Sequence, residues 1–216
     1  MISLEAVDVP TTLSGLTFEV PDGGFRWITG PAGAGKSALV SLLARARPPQ
    51  HGRIRMFGTD LARVRPAARA RLRRRIGLID QDRRLVDHLS VLENTALPLL
   101  IDGASAHAAH IDAADMLDWV GLGGLAAREA RLLSRGQRLL AAVARAVVGR
   151  PALLLADEPT EGLGEADGSR LIQLLLEMNR LGATVLIATR SEATRRSHKA
   201  PTLALDRGRL VAEPAA

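Results

Sequence analysis

The sequence predicts an α/β fold with a largely parallel core sheet, and three observations carry that reading. Gly30-Pro31-Ala32-Gly33-Ala34-Gly35-Lys36-Ser37 fits the pattern G-x-x-x-x-G-K-S/T. It lies between a strand-like run, Phe25 to Thr29, and a helical pattern carried by Leu39, Val40, Leu42 and Leu43. Leu153 to Ala156 and Thr184 to Ala188 are uninterrupted apolar runs, as expected of parallel strands covered on both faces. Between them, Leu171 to Met178 supplies the helix that such a crossover needs.

The remaining elements follow in order. Ile2 to Val9 and Leu16 to Val20 read as strands, and Pro21-Asp22-Gly23-Gly24 as the turn before the Gly-rich loop's strand. Arg53 to Phe57 adds a strand closed by Gly58-Thr59-Asp60, and Ile76 to Ile79 a short one ending at Asp80-Gln81-Asp82. From about 90 to 148 Ala, Leu and Val recur at helical spacing, broken at Asp102-Gly103 and Gly121 to Gly124. Leu203 to Leu205 and Leu210 to Ala212 flank Asp206-Arg207-Gly208 as a final hairpin. With 216 residues and 47% hydrophobic content the chain is expected to form one domain over 1–216.

Composition excludes several classes. The absence of cysteine removes disulfides and thiolate metal sites, and suits a reducing compartment, with the cytoplasm as the expected location. No stretch reaches about 18 apolar residues, and Met1 to Glu5 lacks a basic region followed by an apolar one, so membrane association is expected only through a partner or the surface. The net charge of +6 comes from arginine, clustered at Arg63, Arg65, Arg69, Arg71, Arg73, Arg74 and Arg75. A solvated helix is the plain reading of that cluster, and contact with anionic lipid or a partner the alternative. Nucleic acid is disfavoured, because the chain's five aromatic residues do not interleave with these arginines for base stacking.

The Gly-rich loop carries the first chemistry. Backbone N–H groups from Gly30 to Ser37, and on to Ala38, wrap nucleotide phosphates at a helix N-terminus, while Lys36 reaches the terminal phosphates. The chain has two lysines against twenty-seven arginines, and one of the two stands where this loop demands it. Next, Asp157-Glu158-Pro159-Thr160 ends an apolar strand, which puts two carboxylates at the sheet edge where ligands of open α/β folds bind. In this pairing Ser37 ligates Mg²⁺ directly, Asp157 holds it through water, and Glu158 orients and deprotonates the attacking water.

A third motif, Leu133-Ser134-Arg135-Gly136-Gln137, resembles the L-S-G-G-Q/E signature of ATP-binding-cassette (ABC) ATPases. With the Gly-rich loop, Gln81 and Leu153 to Thr160 in this order, the likeness runs from about Ile2 to Val211. It implies a mixed or parallel core sheet, an N-terminal antiparallel β subdomain, and a helical subdomain at about 90–148 carrying the signature. It also implies ATP and Mg²⁺ as ligands, a homodimer paired head to tail, and Ser134, Gly136 and Gln137 completing the partner copy's ATP site. On that resemblance Glu158, Gln81 and Lys36 serve catalysis, and Ser37, Gln81 and Asp157 serve the metal.

The segments Arg73 to Asp82 and Ser90 to Leu99 are similar to the FtsE family of bacterial cell-division ATPases. That similarity implies an FtsX-like integral membrane partner, contact with the division machinery, and a peripheral place on the inner face of the membrane. The alternatives are a non-hydrolysing nucleotide-responsive scaffold and the ATPase of a lipoprotein-release or macrolide-efflux exporter. A DNA-repair cassette is disfavoured, since no long coiled-coil insertion separates Ser37 from Asp157. Thr11 stands where the family carries an adenine-stacking aromatic, Arg135 replaces a signature glycine, Gly164 an aspartate, and Arg190 the switch histidine. Binding is therefore expected to survive, with hydrolysis slow or dependent on the partner.

Overall fold

The computed structural model describes residues 1–80 and 85–211. In chain order the elements are β1 (Ile2–Val9), β2 (Leu13–Val20), β3 (Phe25–Thr29), α1 (Lys36–Arg45), β4 (His51–Met56), β5 (Thr59–Asp60), α2 (Pro66–Arg74), β6 (Ile76–Ile79), α3 (Val91–Ile101), α4 (Ala106–Val120), α5 (Arg135–Val147), β7 (Leu153–Asp157), α6 (Glu165–Arg180), β8 (Thr184–Ala188), α7 (Glu192–Arg196), β9 (Thr202–Asp206) and β10 (Arg209–Leu210). An antiparallel sheet runs β2-β1-β4-β5, and a second sheet runs β10-β9-β3-β8-β7-β6. In the second sheet β9, β3, β8, β7 and β6 are mutually parallel, and β10 folds back antiparallel at one edge.

The apolar runs are buried because both faces of the parallel sheet are covered. Side chains alternate across a strand, so Leu154, Ala156, Val185 and Ile187 pack into the core shared with α4, α5 and α6. Leu153, Leu155, Leu186 and Ala188 point the other way, into the core shared with α1 and the antiparallel sheet. Burying each such Leu, Ile or Val stabilises the fold by about 1.5–3 kcal/mol. A one-residue register slip would exchange the two sets of side chains between cores of different shape.

Several boundaries differ from the sequence reading. The second strand begins at Leu13 rather than Leu16, because pairing with β1 continues past Gly15, whose φ of 63° a side chain would strain. The fourth strand ends at Met56, since Phe57 and Gly58, at φ 52° and 78°, form the turn. The crossover helix runs from Glu165 to Arg180, well beyond its apolar stretch, because its first turn is polar and exposed. Arg69, Arg71, Arg73 and Arg74 of the arginine cluster lie in α2, which starts with Pro66 at its first position and has no buried residue, and Arg63, Arg65 and Arg75 flank it. No helix among the described residues is long and apolar enough to cross a membrane.

Candidate functional site

The β3–α1 connection is a loop that only glycine permits at its tight points. Gly30, Gly33 and Gly35 have φ of 142°, 76° and 104°. A Cβ on Gly30 would run into the Leu205 carbonyl oxygen, whereas one on Gly33 would meet nothing within 4 Å. Gly33 therefore faces open space, and its positive φ is what calls for glycine. Pro31, Ala32 and Ala34 complete the loop, and the Gly208 amide anchors it by donating to the Ala34 carbonyl at 3.0 Å. Lys36 is buried, and its Nζ donates to the carbonyls of Gly30 and Pro31 at 2.7 and 3.0 Å. Two of its three donors thus lie on the loop's own backbone. Burial lowers the Lys36 pKa below its ordinary value, against the opposing pull of Glu158. Ser37 and Ala38 follow in the first turn of α1, with the helix N-terminus open toward the loop.

The two acids stand at the C-terminal end of β7, beside this loop. Asp157 is 7% exposed, and its Oδ1 is buried without a hydrogen-bond partner. Burial raises its pKa, hydrogen bonding from Ser37 acts the other way, and the Glu158 charge adds to the rise. A buried carboxylate oxygen with no donor, next to a serine hydroxyl, is a set of hard oxygen donors of the type that suits Mg²⁺. These residues fit the ion.

Glu158 is set differently. Its backbone has a φ of 45°, held by donation from its N–H to the Ala188 carbonyl at 2.9 Å. A left-handed conformation costs a non-glycine residue about 1–2 kcal/mol, so β8 must impose it. Both carboxylate oxygens receive Arg190: its N–H reaches Oε2 at 3.1 Å and its Nε reaches Oε1 at 3.0 Å. The guanidinium also donates through NH2 to Glu161 at 2.9 Å. The neighbouring Glu158 charge holds the Arg190 pKa above its ordinary value. Arg190 is thus committed to two carboxylates, those of Glu158 and Glu161.

The signature residues lie elsewhere in the chain. Ser134 caps α5, accepting from the Gln137 amide at 3.3 Å while Gln137 Oε1 accepts from the Ser134 amide at 2.9 Å. With Gly136 they line a cavity of about 150 Å³ together with Leu163 and Asp167. The Arg135 guanidinium lies against the Cα of Gly162, where any side chain would collide with it. Gly164, which takes the place of the family's aspartate, is the N-cap of α6 and offers no side-chain cap. Thr11 is exposed in the turn between β1 and β2 with a φ of 62°. The next residue, Thr12, brings its carbonyl against Gly35 and Gly208. Gln81 lies outside the described residues.

The model of the ABC transporter family matches residues 13–161. The chain belongs to the ABC transporter family of ATP-binding domains. It is 40% identical over 193 residues to the cell division ATP-binding protein FtsE of Escherichia coli K12, covering 88% of this chain and 87% of that one. It is 34% identical over 183 residues to the lipoprotein-releasing system ATP-binding protein LolD of Bacteroides fragilis, covering 84% and 85%. The fold superposes with a TM-score of 0.87 on a dimeric, post-hydrolysis structure of the ATP-binding cassette MJ0796 bound to ADP and Pi, at 27% identity over 97% of this chain and 96% of that one. The family is one of ATPases.

Two features of the cassette escaped sequence reasoning. Asn94, fully buried in α3, accepts from the Val86 amide at 2.7 Å and donates to the carbonyls of Val86, Leu89 and Ser90. It ties down the chain that leads into α3, and standing between Glu93 and Thr95 it leaves no signal of burial in the sequence. Glu161 pairs with Arg190 across 29 residues of sequence. No local pattern announces such a contact. His107 and His110 belong to no metal-binding group among the described residues.

Proposed function

We propose that this cassette is the ATP-hydrolysing subunit of a membrane complex of the FtsE–FtsX kind, working as a homodimer in bacterial cell division. The observation that carries the reading is the meeting of Lys36, Ser37 and Asp157 at one sheet edge, where a buried carboxylate oxygen lacks a donor. The similarity to FtsE over most of both chains supports the choice of partner. Gly30 to Ala38 cradle the phosphates, Lys36 neutralises the terminal ones, and Ser37, Asp157 and Gln81 hold Mg²⁺. That ion would supply charge neutralisation on the phosphate oxygens. Glu158 positions the attacking water and takes its proton, while Ser134, Gly136 and Gln137 of one copy close over the nucleotide held by the other.

The membrane partner docks in a cavity of about 380 Å³ between α2, β6, α3 and α5. Leu78 and Ile101, both exposed, line it beside Arg73, Arg74 and Arg145. Asp102 also lines it, paired with Arg74 at 3.1 Å, so the rim carries a net positive charge over an apolar floor and fits a cytoplasmic segment carrying apolar and acidic side chains. This contact keeps the cassette peripheral on the inner face of the membrane. The similarity to LolD supports a second reading, in which the partner belongs to a lipoprotein-release exporter.

The test is an Mg²⁺-ATP titration and a turnover assay on the chain co-purified with its membrane partner, beside Glu158→Gln. Expected are saturable Mg²⁺-dependent ATP binding in both proteins and turnover in the unmodified one alone. Failure to bind Mg²⁺-ATP, or turnover untouched by Glu158→Gln, refutes the reading. Co-purification with a lipoprotein-release permease instead of the division protein selects the second.

A further inference from the structure

Arg190 lies between two cavities. On one side it lines a space of about 380 Å³ with Thr29, Gly30 and Pro31 of the phosphate loop. On the other it lines a space of about 820 Å³ with Glu158, Glu161 and Gly164. The guanidinium is planar and forked, so Nε and NH2 can serve two carboxylates at once, as they do here. The backbone amide of the same residue takes the second oxygen of Glu158. A carboxylate can act as a base only through an oxygen that points at the water it deprotonates. Here each Glu158 oxygen already accepts a hydrogen bond, and the Nε contact is charge-assisted.

We infer that Arg190 is an inhibitory latch on Glu158, anchored on its far side by Glu161, which holds the cassette in a low-turnover state. The inference rests on the proposed role of Glu158 as the group that activates water. Arg190 acts through Glu158 and is a positioning residue. Because it also faces the phosphate loop, negative charge arriving there competes with Glu158 for the guanidinium. A histidine would hold Glu158 more weakly, since a neutral imidazole offers one N–H and no permanent charge.

The latch is tested on the full chain in complex with its partner, by measuring ATP affinity and kcat separately for Arg190→Ala, Arg190→His and Glu161→Gln. A well-placed general base is worth about 10²–10⁴ in rate, so freeing Glu158 is expected to raise kcat about tenfold or more within that ceiling. Glu161→Gln, which loosens only the outer anchor, is expected to give a smaller rise. ATP affinity should change far less than kcat, and adding Glu158→Gln to Arg190→Ala should abolish the gain. A fall in kcat on Arg190→Ala would make Arg190 a transition-state donor and overturn the latch. So would an unchanged kcat in all three variants, or continued absence of turnover while ATP still binds. If Arg190→Ala does not fold, Glu161→Gln and Arg190→His decide the matter alone. Loss of ATP binding in the unmodified chain, or turnover that ignores Glu158→Gln, is failure of the underlying functional reading and is visible without any Arg190 variant.

Discussion

Asp157→Asn is expected to make the nucleotide-free cassette more stable and at the same time to remove its response to Mg²⁺-ATP. The carboxylate is buried, one oxygen has no donor, and both burial and the Glu158 charge push its pKa above the ordinary 3.8. An unsatisfied buried polar group costs about 1–3 kcal/mol, and more when charged. Asparagine keeps the shape and removes the charge, so a gain of about 1 kcal/mol is expected, or about 2–4 °C in Tm for a chain of this size. The sign with pH follows from the raised pKa. The folded chain holds this proton more tightly than the unfolded one, so stability falls as pH rises from about 3.8 through the folded pKa and stays reduced above it. The advantage of Asp157→Asn should therefore be absent below that window and full at neutral pH. Saturating Mg²⁺-ATP at about 100 Kd should stabilise the unmodified chain by about 2.7 kcal/mol and the variant by much less. The assay is thermal unfolding from about pH 3 to pH 8, with and without Mg²⁺-ATP. A lower Tm for nucleotide-free Asp157→Asn at neutral pH would refute the reasoning, because the carboxylate would then be held for stability and not for a ligand.

Two further outcomes follow from the packing. Asn94→Ala strands the Val86 amide, while the carbonyls of Val86, Leu89 and Ser90 keep backbone donors, and should destabilise the chain by about 1–3 kcal/mol in denaturant melts. Ile101→Asp puts a charge on the exposed apolar wall of the cavity between α2, β6, α3 and α5. It should sharply reduce recovery of the membrane partner in co-purification while the Mg²⁺-ATP thermal shift of the chain alone persists.

What the sequence showed and what it hid divide along physical lines. The parallel strands were legible because burial on both faces leaves no polar residue in β7 before Asp157, or in β8 after Thr184. The phosphate loop was legible because Gly30, Gly33 and Gly35 occupy backbone conformations that side chains resist. The start of α6 was hidden, since Gly164 gives no capping signal and Glu165 and Asp167 look like loop residues. By contrast, Ser90 with Glu93 and Ser134 with Gln137 mark their helix starts by the spacing of a capping box. The Arg190 contacts were hidden for a different reason. They join the ends of β7 and β8, which only the sheet topology brings together.

Two departures from the family pattern, Arg135 and Arg190, meet the same short loop. A charge lost from a working site by drift leaves its former partners unpaired or its own group displaced into solvent. By that measure Arg190 is seated, and Arg135 stands exposed beside Gly162. Arg190 is met by Glu161 as well as Glu158, and the Arg135 guanidinium lies beside Gly162, where a larger residue would have to push that side chain aside. Gly162 itself sits at a φ of 69°, so glycine there serves the turn. Both contacts lie on one short loop, with Glu161 facing Arg190 and Gly162 facing Arg135. That loop therefore connects the residue that holds Glu158 to the first turn of the signature helix. A displacement of Arg135 by a second copy closing over its nucleotide would act on the loop that anchors the latch.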